Sequence, residues 1–225
     1  MTGTFINVGT VLLGSVAGTL LKHRIPSKLS GTVIQGIGLF TLFIGMKMAF
    51  EGANPVIMVF SILIGGIVGE ALDIEGRLEA VGRWFEARFA ASDGNFTKGF
   101  VTASLLFCVG PMTIVGSIED GLRGNYQILL TKAIMDGFCA TAFSSTLGLG
   151  VGLAALTVLF YQGALTLAAS YVKAFLTDPI VATMTATGGL LIIGIGVNLL
   201  ELGKVKVGNL LPALVVAVVL AAIFG

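Results

Sequence analysis

The chain has 225 residues, of which 56% are hydrophobic and only 11% charged, with a formal net charge of +1. A mean hydropathy of +1.01 excludes an ordinary soluble domain of this length, and the near-neutral charge gives no footing for a nucleic-acid partner. Apolar runs long enough to cross a bilayer recur from end to end, which predicts an all-α, polytopic membrane protein forming a single membrane domain over residues 1–225.

In chain order, about eight crossings are predicted, near residues 4–21, 29–50, 55–72, 100–118, 128–147, 152–176, 179–200 and 205–224. The first run follows Met1 without a basic stretch or a cleavage site, so it reads as a retained helix rather than a signal peptide. Lys22, Arg24, Lys28, Arg77, Arg83, Arg88, Lys98, Lys204 and Lys206 fall in odd-numbered loops, against Arg123 and Lys173 in even-numbered ones. That asymmetry puts the odd loops in the cytoplasm and both termini outside.

Between crossings three and four, Asp73 to Ala91 alternates charge with an apolar stripe of Ile74, Leu78, Val81, Phe85 and Phe89, flanked by Trp84. This pattern predicts an amphipathic helix in the cytoplasmic headgroup region, ended by Ser92-Asp-Gly-Asn95.

Crossing four carries Gly110-Pro111, which predicts a broken helix, and Glu119 and Asp120 follow it. The two carboxylates read either as loop residues beside Arg123 or as an embedded site. Broken helices and charges survive in a bilayer only inside protein or along a watery cavity. Carbonyls freed at Pro111, together with Thr113, Ser117 and a carboxylate, suit a hard cation such as Na⁺. On crossing five, Lys132 and Asp136 are four residues apart and share a helix face. They read either as a structural ion pair or as a site that exchanges a proton, ion or charged ligand. Gly137 beside Asp136 permits close backbone approach, as at a site lined by unwound chain. Gly148-Leu-Gly-Val-Gly152 is either a tight turn or a break in a longer helix.

Ser144 belongs to a hydroxyl cluster, Ser144-Ser-Thr146. Asn7, Asn198 and Asn209 read as interhelical hydrogen-bond partners, and Pro212 after Asn209 as a second helix break. Gly14/Gly18, Gly65/Gly69 and Gly148/Gly152 have the spacing of close helix packing or of a dimer face. The segments Gly38–Gly45 and Gly189–Gly196 resemble each other in crossings of opposite direction, the pattern of an inverted repeat. Cys108 and Cys139 read as small buried hydrophobes, and His23 as a residue of a basic cytoplasmic loop. No enzyme motif is present.

Several motifs carry a family resemblance. Gly110-Pro-Met-x-Ile-Val-Gly-Ser-Ile-x-Asp-Gly121, Lys132-x-x-x-Asp-Gly-Phe138, Gly188-Gly-Leu-Leu-Ile-x-Gly-Ile-Gly-x-Asn198 and Asn209-Leu-Leu-Pro-Ala213 resemble the YdfK/YqgA family of bacterial inner-membrane proteins. The resemblance implies a bacterial plasma-membrane location and supplies no substrate. It also implies that Gln is common at the position of Glu119, which favours Asp120 of the two carboxylates.

The expected function is that of a secondary transporter of a small cationic or zwitterionic solute, coupled to a cation such as Na⁺ or H⁺, without other cofactors and without enzymatic activity. Asp120 and Asp136 would bind the cation or proton and Lys132 would serve as counter-charge. Thr113, Ser117, Ser144, Asn198 and Asn209 would complete the lining. A passive channel and a non-transporting scaffold are the alternatives, and a homodimer in the lipid bilayer is the expected assembly.

Overall fold

The computed structural model describes residues 1–22, 27–51, 54–88, 95–172 and 177–224. His23 and Arg24, the end of the amphipathic segment beyond Arg88, and Lys173 lie outside the described residues. The elements are all helical: α1 (Thr2–Lys22), α2 (Ser27–Ala49), α3 (Pro55–Leu72), α4 (Ile74–Arg88), α5 (Phe96–Val109), α6 (Pro111–Arg123), α7 (Gln127–Leu147), α8 (Gly150–Leu167), α9 (Ala169–Val172), α10 (Asp178–Leu199), a 3₁₀ turn (Gly208–Leu210) and α11 (Pro212–Phe224).

Five helices are long and apolar enough to cross a membrane, namely α1, α2, α3, α8 and α10, and the bent pair α5–α6 makes up to six. The remaining two expected crossings are helical too, but fall short of that standard. α7 carries Lys132 and Asp136, and residues 208–224 make only a short apolar helix. The sixth crossing ends earlier than expected, at Leu167 instead of 176. α9 follows it after Ala168.

The chain sorts into two compact units. The first comprises residues 1–35, 79–108 and 112–172, and the second residues 36–78, 109–111 and 173–225.

In the first unit α1 packs on α7 through its glycines. A methyl at Gly14 would lie 2.3 Å from the Gly137 carbonyl oxygen, and one at Gly18 would lie 2.2 Å from that of Thr141. Gly3 meets Leu129 near the start of α7, so the two helices run in the same direction. On its other side α1 meets α8 at Thr4–Thr166, Asn7–Gln162 and Ser15–Gly152, in the opposite direction. The turn between α7 and α8 is tight. Gly148 takes φ 79°, which only glycine adopts freely, and its N–H donates to the Ser144 carbonyl at 3.0 Å.

In the second unit α2 and α10 pack in opposite directions, Gly38 against Leu200 and Gly45 against Gly189. The two segments that resemble each other in sequence are thus neighbours. α3 and α11 pack in opposite directions through Gly65 against Ala213 and Gly69 against Asn209. The Gly14/Gly18 and Gly65/Gly69 faces are therefore occupied within the chain itself. α3 begins under an N-cap, with Asn54 Oδ1 accepting from Val56 N at 3.1 Å and Pro55 in the first turn.

Candidate functional site

Helix α5 ends at Val109 and α6 opens at Pro111, with a bend of 61° between them. Proline has no N–H, so the carbonyl of Phe107 loses its helical donor. The hydroxyl of Thr113 replaces it, at 3.1 Å. α6 then runs on through Glu119 and Asp120, so neither is a loop residue. Successive positions on a helix point about 100° apart, and the two side chains separate accordingly. Glu119 turns outward and pairs with Arg123 at 3.5 Å. Asp120 is 4% exposed and accepts from Gly3 N of α1 at 3.0 Å, with the Met1 amino group also at 3.0 Å.

The principal cluster is a buried polar chain across α7, α1 and α8. Lys132 donates to Asp136 Oδ2, and both side chains are buried. The same oxygen accepts from Asn7 Nδ2 at 3.0 Å. Asn7 also donates to Gln162 Oε1 at 3.0 Å, and Gln162 Nε2 donates to Thr4 Oγ1 at 3.2 Å. Thr4 and Thr166 share a hydrogen bond at 3.3 Å, and Ser117 donates to the Gln162 carbonyl at 3.4 Å. Thr4, Asn7, Ser117 and Gln162 are fully buried.

The spacing of the helices explains this chain. Thr4 and Asn7 are three residues apart on α1, Lys132 and Asp136 four on α7, and Gln162 and Thr166 four on α8, so each pair occupies one face of its helix. Glycines at 14, 18 and 137 let the α1 and α7 backbones approach closely enough for short side chains to meet. The close approach expected beside Asp136 is therefore present, but intact helix makes it, not unwound chain.

Three buried polar atoms lack a partner among the described residues: Asn7 Oδ1, Ser15 Oγ and Ser144 Oγ. Asn7 spends its amide nitrogen on two acceptors, and its Oδ1 is buried with no partner among the described residues. Ser144 Oγ is likewise buried without a partner, at the α1–α7 contact. An acceptor left unpaired in the interior costs roughly 1–3 kcal/mol. Beside a carboxylate, such an oxygen suits a proton donor or a cation.

Of the residues expected to line the site, Thr113, Ser117, Asp120, Lys132, Asp136 and Ser144 belong to the first unit. Thr113 is committed to the α5–α6 bend. Asn198 and Asn209 belong to the second unit, where Asn198 holds loop backbone and Asn209 binds the first turn of α4. Asn198 grips Val205 through both its N–H and its carbonyl, each at 2.7 Å. Asn209 Oδ1 accepts from Glu75 N at 2.8 Å, and its Nδ2 donates to Glu70 at 2.7 Å. Pro212 opens α11 after the 3₁₀ turn, at the helix position where a missing N–H costs least. Sequence reasoning missed Gln162, Thr4 and Thr166. The available signal was a glutamine within the apolar run Gly150–Leu167, three helical turns from any charge.

The family described as a protein of unknown function (DUF554) matches residues 2–222. The chain belongs to that family. Its similarity extends to the uncharacterized membrane protein YdfK of Bacillus subtilis (strain 168), 30% identical over 220 residues, covering 96% of this chain and 93% of that one. It is also similar to the uncharacterized protein YqgA of Escherichia coli (strain K12), 32% identical over 225 residues, covering 98% and 96%. No solved structure matches the chain. The buried polar chain, from Thr4 to Thr166, lies wholly within the DUF554 match.

Proposed function

We propose that this membrane protein is a secondary transporter of a small cationic or zwitterionic solute, with Asp136 as the cation- or proton-binding carboxylate and Lys132 as its counter-charge. The observation that carries this reading is the buried Lys132–Asp136 pair, joined through Asn7 to Gln162, with an acceptor oxygen of Asn7 left unfilled. Each charge at the centre of a spanning helix costs roughly 2.5–3.5 kcal/mol on insertion scales. Pairing offsets part of that cost, but the amide network and its open acceptor are more than a structural pair requires.

Helix directions support placing this pair within the membrane. α1 and α7 run the same way while α8 opposes α1. Counting the bent pair α5–α6 and α7 as the fourth and fifth crossings agrees with those directions. The opposed pairs α2/α10 and α3/α11 then agree with eight crossings. On this reading the charge asymmetry of the loops puts both termini outside a bacterial plasma membrane. The protein works without enzymatic chemistry, as a homodimer, and the coupling ion is Na⁺ or H⁺.

The test is uptake into proteoliposomes under imposed Na⁺ and H⁺ gradients, for amino acids, polyamines and other small cations. Gradient-dependent, saturable uptake lost in Asp136→Asn supports the proposal. Flux that does not saturate and follows the membrane potential alone points to a channel. No flux for any solute, with Asp136→Asn folded and functional in cells, points to a scaffold.

A further inference from the structure

We propose that the outer face of α4 is a binding surface for anionic lipid headgroups. α3 is 18 residues long, about 27 Å of helix, close to the roughly 30 Å of a bilayer's hydrocarbon core. A single residue, Asp73 in the left-handed conformation (φ 47°), separates its end from the start of α4 at Ile74. Helix α4 therefore starts at headgroup level.

By formal charge α4 is neutral, with Glu75, Glu79 and Glu86 against Arg77, Arg83 and Arg88. The fold separates these charges. Glu75, Glu79, Gly82 and Glu86 fall on one side of the helix. There, Glu86 accepts from the Thr97 hydroxyl at 2.6 Å, Glu75 accepts from Gly208 N at 2.9 Å, and Gly82 is buried beside Thr97. The opposite side carries Arg77, Val81, Trp84 and Arg88, at i, i+4, i+7 and i+11, within about a sixth of the circumference. All four are exposed, Trp84 by 62% and Val81 by 46%. Trp84 rests edge-on against Phe85, with ring centroids 4.7 Å apart. Arg83 lies off this stripe and is paired with Glu79 at 2.9 Å.

An indole and a valine flanked by two arginines, with the carboxylates turned away, match the two layers of a lipid surface. The apolar groups enter the headgroup–acyl boundary, and the guanidinium forks meet phosphates. The charge that remains outward is positive, so the complementary partner is an anionic membrane. Each arginine near such a surface strengthens attachment to an anionic membrane about fivefold.

Trp84 is the only tryptophan of the chain and reports on this face alone. The full-length protein is reconstituted in nanodiscs of equal phosphatidylglycerol and phosphatidylcholine, with bromine on the chains of one lipid or of the other. The expected result is stronger Trp84 quenching by brominated phosphatidylglycerol, equalised in Arg77→Gln/Arg88→Gln and retained in Arg83→Gln. Equal quenching by the two lipids in the unsubstituted protein overturns the proposal. So does quenching by acrylamide without quenching by either lipid, which places the face in water. Protection from all three quenchers overturns it as well, and indicates a covering protein such as a second copy of the chain.

Discussion

The hydroxyl of Thr113 donates to the carbonyl of Phe107, the one backbone acceptor that Pro111 leaves without its helical donor. The bend between α5 and α6 is thus repaired from within, and Thr113 has no hydroxyl proton to spare for a solute. Thr113→Val should lower stability in detergent by about 1 kcal/mol. Pro111→Ala supplies a backbone N–H at the same place. The double substitution should therefore cost less than the sum of the two singles, which a thermal-melt double-mutant cycle would detect.

The Lys132–Asp136 pair separates stability from function. Asp136→Asn or Lys132→Met leaves one buried charge unpaired and should cost about 3–5 kcal/mol in thermal melts. Lys132→Met with Asp136→Leu should recover most of that loss while abolishing uptake. Recovery of both stability and uptake in the double variant would remove the pair from the mechanism.

Asp120 and Glu119 should behave as differently as their surroundings. Asp120→Asn weakens charge-assisted hydrogen bonds at a buried site and should lower the melting temperature, whereas Glu119→Gln disturbs only an exposed pair and should leave it nearly unchanged.

Gly18→Ala would place a methyl against the Thr141 carbonyl oxygen, where backbone must yield, and should cost roughly 1–3 kcal/mol or more. Gly9→Ala on the same helix meets nothing within 4 Å. It should be neutral or stabilising by up to about 1 kcal/mol, because alanine is the better helix former. The yield of folded protein on size exclusion would rank the two.

Lys206 lies in the loop before the 3₁₀ turn, 2.5 Å from Glu70. Its hydrogen bond to Glu70 raises its pKa above the ordinary lysine value, and the nearby carboxylates of Glu70, Asp73 and Glu75 add to that. A raised folded pKa stabilises the fold below the unfolded value, near 10.4, and the effect disappears as pH rises through the folded value. The melting difference from Lys206→Met should therefore be small and steady at neutral pH and vanish in strong alkali. High salt should shrink it as well.

The helical class, the break at Pro111 and the candidacy of Asp120, Lys132 and Asp136 were legible in the sequence, because each is a strong local departure from an apolar background. Partners were less legible. Asn198 and Asn209 look like Asn7, yet one holds loop backbone, one binds the first turn of α4, and only Asn7 faces the ion pair. That difference depends on which helices become neighbours across more than a hundred residues. Gln162 was invisible for the same reason, since one amide in an apolar run signals nothing until the helix opposite it is known. The stripe expected on α4 illustrates a further limit. Ile74, Leu78 and Phe85 share a face in projection but end half-buried, because Gly82 is the residue that sets which side of the helix packs.

The contact between Asn7 and Asp136 joins residues 129 positions apart. At about 5–20 residues per second, the ribosome needs on the order of ten seconds to make α7 after α1. During that interval α1 sits in the bilayer with Thr4 and Asn7 facing no final partner. A provisional companion, whether lipid headgroup, water or an insertion factor, must satisfy them until α7 and α8 arrive. Biogenesis of this protein should accordingly depend on the polar face of its first helix well before the folded protein does anything.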